Sequence, residues 1–170
     1  MRTCDVLIVG GGPAGLSIAS SVSDDVSSII VHQDAEIGRP VRTSGGSFLA
    51  DMQKLGIPEA YYQVIDELHF FSDNSEAKFD IQSDKMVVLD ITGLYQYLAS
   101  LSDSKNRTLL LDTKFLTTVK QSDGTYITTI RTRETGEETI KSNYIVDASG
   151  WHCAVLEVLG LAAKPARLGI

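Results

Sequence analysis

The chain has 170 residues, with 15 Lys and Arg against 22 Asp and Glu, for a formal net charge of −7. So acidic a chain repels a phosphate backbone, which argues against a general nucleic-acid binder. Hydrophobic residues at 43% and charged residues at 22% exclude wholesale disorder, and the length suffices for a packed core without disulfides or a structural metal. Cys4 and Cys153 both lie in apolar segments and read as free buried thiols in a reducing compartment. Residues 6–9 are the only strongly apolar run at the N-terminus, too short for a signal-peptide core or a bilayer span. The expectation is a cytoplasmic protein, with peripheral membrane contact left open.

In chain order, the wholly apolar run 6–9 reads as a strand buried on both faces, as inside a parallel sheet. Gly10-Gly11-Gly12-Pro13-Ala14-Gly15 follows at once, and Leu16, Ile18, Ala19 and Val22 then give a helical stripe. Residues 26–32 are a second strand, so the first thirty or so residues form a βαβ unit. A loop occupies residues 36–46. The spacing predicts a helix over 48–55, ended by Gly56 and Pro58, then short strands at 68–71, 78–81 and 86–89. A helix over 94–101 and a strand at 109–111 come next. Three β-rich runs, 115–119, 126–131 and 138–146, are split by Ser122-Asp123-Gly124 and Glu134-Thr135-Gly136 and form a meander. The end of its last strand, Tyr144-Ile145-Val146, is apolar enough to re-enter the buried sheet. A short helix over 152–159 closes at Gly160. The class is α/β, Rossmann-like, with a central parallel sheet, flanking helices and a three-stranded β-meander. No internal boundary is evident, so residues 1–170 are taken as one domain.

The strongest chemical signal is Gly10-x-Gly12-x-x-Gly15 straight after a buried strand. Gly10 permits the tight turn, Gly12 lets a pyrophosphate approach bare backbone, and Gly15 lets the helix pack on the strand. Pro13 and Ala14 open a helix whose unpaired N–H groups and positive dipole end face that anion. Dinucleotide sites of this kind usually place an acid at the end of the second strand. Here His32 stands there, with Asp34 close behind, and either can meet a ribose hydroxyl, or His32 can simply cap the strand.

Taken together, residues 6–15, Glu36-Ile37-Gly38-Arg39-Pro40-Val41-Arg42 and Gly45-Gly46 resemble the N-terminal half of FAD-dependent oxidoreductases of the geranylgeranyl reductase group. That group is similar in turn to the aromatic flavin hydroxylases and flavin-dependent halogenases. The resemblance runs from Cys4 to about Leu161. It implies that Gly10, Gly12, Pro13, Ala14 and Gly15 hold the FAD pyrophosphate. It implies further that Arg42 reaches the phosphate or ribitol and that Gly45 and Gly46 let backbone pass close to the flavin. The Asp147-Ala148-Ser149-Gly150 segment, through Asp147 and Gly150, would pass near the adenosine half. From the residues alone, Arg42 is equally a solvated loop cation, and Asp147 and Ser149 are good helix caps.

Three positions depart from the family: Thr43 replaces a frequent Cys, Ile91 a frequent Arg, and Ser149 the Asp that hydroxylases use. No second G-x-G-x-x-G exists, so no separate nicotinamide domain is expected, although NAD(P)H remains a candidate electron donor. The family's substrate-binding sheet and its later G-D segment have no counterpart in these residues. An excised front half, a split gene product and a degraded copy are all compatible with that, and so is a second chain supplying the missing half. The implied activity is oxidoreduction of a small lipid-like or aromatic molecule, with reduction of an unsaturated prenyl-type substrate preferred. An oxygen-using monooxygenase or halogenase, an inactive nucleotide-binding fragment and an NAD(P)-binding domain are the alternatives. No catalytic residue is singled out, because the cofactor carries the hard chemistry. No metal site is expected: Trp151-His152-Cys153 reads as the start of a packed helix, His69 as a half-exposed strand residue, and Tyr61, Tyr62, Tyr95 and Tyr97 as packing aromatics.

Overall fold

The computed structural model describes residues 1–81 and 85–161. The end of the expected domain, residues 162–170, lies outside the described residues. The chain forms two compact units, one made of Met1–Pro40 with the chain from Tyr95 onward, the other of Val41–Leu94.

The first unit is built on a six-stranded sheet. Strand β1 (Arg2–Val9) lies between β2 (Ser28–Val31) and the long β11 (Gly136–Asp147), parallel to both, and β2 in turn pairs in parallel with β8 (Arg107–Leu110). Beyond β11 the sheet turns antiparallel, through β10 (Tyr126–Thr132) to β9 (Thr113–Lys120). The expected βαβ unit, the meander and the return of its last strand into the parallel sheet are all present. The reason is apolar continuity: Leu7, Ile8, Ile30, Ile130 and Ile140 are fully buried, and a strand apolar on both faces is stable only where neighbours cover both. β2 is shorter than expected, because Val26 is spent in a turn, its N–H donating to the Ser23 carbonyl.

Helix α1 (Pro13–Ser21) buries Gly15, Leu16 and Ala19. Arg107 ties elements of this unit together. Its guanidinium donates to the carbonyls of Ser102 at 2.6 Å and Val22 at 2.9 Å and to Ser28 Oγ at 3.2 Å. The expected helix over 152–159 is broken. A 3-10 turn at Gly150–His152 meets a left-handed Cys153, and α4 (Ala154–Val158) follows. Trp151 and His152 are exposed and stack on one another rather than starting a packed helix, with ring centroids 3.8 Å apart. Cys4 is buried as expected, whereas Cys153, at the left-handed residue, is only half-buried.

The second unit contains an antiparallel sheet of β3 (Gly46–Phe48), β7 (Met86–Leu89) and β4 (Tyr62–Ile65), in that order. It also holds helix α2 (Leu49–Lys54), a 3-10 turn at Glu59–Tyr61 and the hairpin β5 (Glu67–Ser72) with β6 (Ser75–Asp80). Only α2, the hairpin and β7 were legible as elements; β3 and β4 are short, and only pairing with β7 makes them strands. Helix α3 (Ile91–Leu101) begins three residues before the expected start. Asp90 caps it, with Oδ1 accepting the Gly93 N–H at 3.0 Å. Ile91 is buried here, so the position where relatives often have Arg is a core position in this chain.

Candidate functional site

The glycine turn sits where three parallel strands end together. Val9 is in register with Val31 on one side and Asp147 on the other. The Gly10 N–H donates to the Val31 carbonyl, and the Ala148 N–H to the Val9 carbonyl, both at 2.9 Å. Gly10 has φ +115°, and a Cβ there would fall 2.2 Å from the Ala148 carbonyl oxygen. A Cβ on Gly15 would fall 1.9 Å from the Gly10 carbonyl oxygen, so the close seat of α1 demands glycine.

Gly12 differs from both. A Cβ at Gly12 would meet nothing within 4 Å. The backbone there faces open space in an ordinary extended conformation. Helix α1 opens with Pro13, which has no N–H, and its first turn-closing bond runs from the Leu16 N–H to the Gly12 carbonyl at 3.0 Å. The N–H groups of Gly12, Ala14 and Gly15 have no acceptor among the described residues. Bare backbone, free donors and the positive end of a nine-residue helix fit an anionic diphosphate.

Gly11, which the motif leaves unspecified, is constrained here too. Its N–H donates to His32 Nδ1 at 3.2 Å, and a Cβ on it would lie 2.9 Å from both His32 Cγ and Ile37 Cδ1. The His32 backbone is pinned on both sides, its N–H donating to the Leu110 carbonyl at 2.8 Å and its carbonyl accepting from Thr113 at 2.9 Å. Asp34 Oδ2 stands 3.6 Å from His32 Nε2. His32 thus follows β2 directly, as expected, but turns one ring nitrogen toward the glycine turn. The sequence hid this link, because nothing in residue spacing pairs positions 11 and 32.

The Asp147 carboxylate works as a cap. Oδ1 accepts from the Ser149 N–H at 3.1 Å and its hydroxyl at 2.5 Å, and Oδ2 accepts from the Val155 and Leu156 N–H groups at 2.9 Å each. Ser149 Oγ accepts the Ala154 N–H at 2.8 Å. Of the two readings open for this segment, capping is the one its hydrogen bonds display. Gly150 has φ +72° and is exposed. Gly10, Gly12, Pro13, Ala14, Gly15, His32, Asp34, Asp147 and Gly150 all belong to the first unit, while Arg42, Gly45 and Gly46 belong to the second. In that second unit Gly45 is buried at φ +74°. A Cβ on it would lie 3.2 Å from the Leu89 carbonyl oxygen, and its own carbonyl accepts the Leu89 N–H at 2.9 Å. Gly46 pairs with Val88 in the sheet, and Arg42 is exposed.

Among the described residues, no three His, Cys, Asp or Glu side chains gather as metal ligands, and no helix is long and apolar enough to cross a membrane.

A buried parallel strand, a glycine turn with free amides and a packed helix define a dinucleotide-binding α/β protein. The family model described as "FAD binding domain" matches residues 3–167, and the chain belongs to that family, whose cofactor is FAD. Solved structures share the fold. A geranylgeranyl bacteriochlorophyll reductase-like protein from Thermoplasma acidophilum is 20% identical, with a TM-score of 0.78 over 98% of this chain and 44% of its own. The p-nitrophenol 4-monooxygenase PnpA from Pseudomonas putida is 16% identical, with a TM-score of 0.75 over 94% of this chain and 44% of its own. The flavin-dependent monooxygenase PieE, solved in complex with FAD and substrate, is 23% identical, with a TM-score of 0.70 over 93% of this chain and 32% of its own. The chain therefore spans less than half the length of these structures. A search of curated proteins finds no match.

Proposed function

We propose that this chain is the FAD-binding part of a flavin-dependent oxidoreductase acting on a small lipid-like or aromatic molecule. The observation that carries the reading is the opening at Gly12, bare of side chain, where the amides of Gly12, Ala14 and Gly15 have no acceptor among the described residues. In this assignment Gly10 and Gly15 shape the turn, while Gly12, Pro13, Ala14 and Gly15 present backbone to the pyrophosphate. Asp34, beside β2, accepts from the adenosine ribose, and His32 holds the turn. By analogy with the family, Arg42 is assigned to the phosphate or ribitol, and Gly45 and Gly46 to the flavin. Asp147 and Gly150 act through shape. Asp147 anchors α4, so that Ala148 keeps its place beside the turn and Gly150 leads on from it.

Bound FAD supplies hydride transfer or oxygen chemistry, and the residues of this chain bind and orient it. Among reactions of this class we favour reduction of an unsaturated prenyl-type substrate with NAD(P)H as donor. The Pro40-Val41-Arg42 loop and the reductase-like neighbour support that choice by analogy.

The test is a flavin titration of the purified chain, read by absorbance and quenching of flavin fluorescence. Wild type is expected to turn yellow and to bind FAD. Gly12→Val should weaken binding by about tenfold or more, the effect of losing a charge-assisted backbone contact, and Arg42→Ala by a smaller factor. Unchanged affinity in Gly12→Val refutes the pyrophosphate assignment.

A further inference from the structure

His32 occupies the position where an acid was expected, yet its ring faces inward. Nδ1 lies 3.2 Å from the Gly11 nitrogen with an N–H pointing at it, so Nδ1 is an acceptor. An imidazole that accepts at Nδ1 is neutral and carries its proton on Nε2, the nitrogen 3.6 Å from the Asp34 carboxylate. The contact is tight, because only the missing Cβ of Gly11 makes room for the ring. The side chain is 13% exposed, and backbone hydrogen bonds on both sides fix its Cα.

We propose that His32 is a positioning residue of the cofactor site: its neutral Nδ1 holds the Gly11 amide and so fixes the glycine turn in its binding shape. The consequence follows from the donor and acceptor roles. Protonation turns Nδ1 into a donor facing another donor, and the Gly11 contact is lost. Two influences on the ring pull in opposite directions. The Asp34 carboxylate favours the imidazolium, whereas the Gly11 N–H and the positive end of α1 favour the neutral ring. The turn is therefore set at neutral pH and released by acid, and FAD affinity follows it.

The affinity arm of the test rests on the FAD reading, whereas the spectroscopic arm does not. In the full chain without cofactor, nitrogen-15 NMR is expected to show the proton of His32 on Nε2 at pH 7.5. The Gly11 amide resonance should move with the titration of that ring. FAD affinity of the wild type is expected to fall about tenfold between pH 7.5 and 5.5, the range in which a histidine ordinarily charges. In His32→Asn the side-chain oxygen can take the place of Nδ1, so affinity at pH 7.5 should stay within about threefold and no longer respond to acid over that range. In His32→Leu affinity should be about tenfold weaker throughout, with thermal unfolding confirming a folded protein. A proton found on Nδ1 at pH 7.5, or a His32→Asn protein as acid-sensitive as wild type, overturns the assignment. Failure of every form to bind FAD sinks the cofactor reading instead, and the NMR result still decides the role of His32.

Discussion

The two units of this chain spend their apolar residues differently. In the first, β1 and β2 are covered on both faces, and Leu7, Ile8, Ile30, Ile130 and Ile140 are sealed from solvent. In the second, the β5–β6 hairpin segregates its faces without covering the apolar one. Leu68, Phe70, Ala77 and Phe79 share one side, and Glu67, His69, Glu76, Lys78 and Asp80 line the other together with Phe71, whose ring lies beside that of His69. Phe70 and Phe79 meet edge-to-face at 5.6 Å but stay 59% and 53% exposed. The lesson is that the first unit is over-determined around its turn, where a methyl group added at Gly10, Gly11 or Gly15 has no place to go. The second tolerates change, because little is packed against its hairpin.

The sharpest way to break this comparison is Gly15→Ala. Its Cβ would collide with backbone rather than with a movable side chain. We expect a loss of about 3 kcal/mol or more in urea unfolding, or no folded protein at all. Gly12→Val, where space is open, should leave stability within about 0.5 kcal/mol. Equal costs at the two positions would refute the division of labour within the motif. Asp147→Ala removes the carboxylate that anchors α4, with an expected cost of about 2 kcal/mol, read from the same unfolding curves.

Burial separates the two cysteines. Burial pushes the Cys4 thiol up from 9.0 to about 11, so folding favours its neutral form. That contribution is fully present below pH 9 and is lost as pH rises through about 11. Thermal melts of Cys4→Ala should lack this part of the alkaline destabilisation. Cys153, half-buried, should react with a thiol reagent well before Cys4 does. The smallest effect is expected at the hairpin. Phe70→Ser should cost no more than about 1 kcal/mol, mostly the lost aromatic pair, while reducing self-association in light scattering. A larger cost would mean that the hairpin face is covered in solution.

What could be read from the sequence, and what could not, divides along physical lines. The βαβ start, the meander and the return of residues 144–146 to the buried sheet were legible, because continuous apolar runs and glycine turns are local signals. The motif's three glycines were legible for the same reason. Strands β3 and β4 were not, since β7 alone makes them strands. The breaks at Cys153 and at the start of α3 depend on a left-handed residue and on the Asp90 cap, which a periodicity reading smooths over. At the site, the hidden element was the Gly11–His32 contact. It joins residues 21 apart through a bond that only the folded turn creates.

The wall that Ala148 builds against Gly10 has a consequence for how the protein is made. The turn itself is complete at Gly15, but its facing carbonyl belongs to Ala148, added more than 130 residues later. β1 also waits for β11, its neighbour more than 130 positions later. A nascent chain therefore carries an unfinished nucleotide cradle until those later strands have been made, and FAD can lock the fold only after that point.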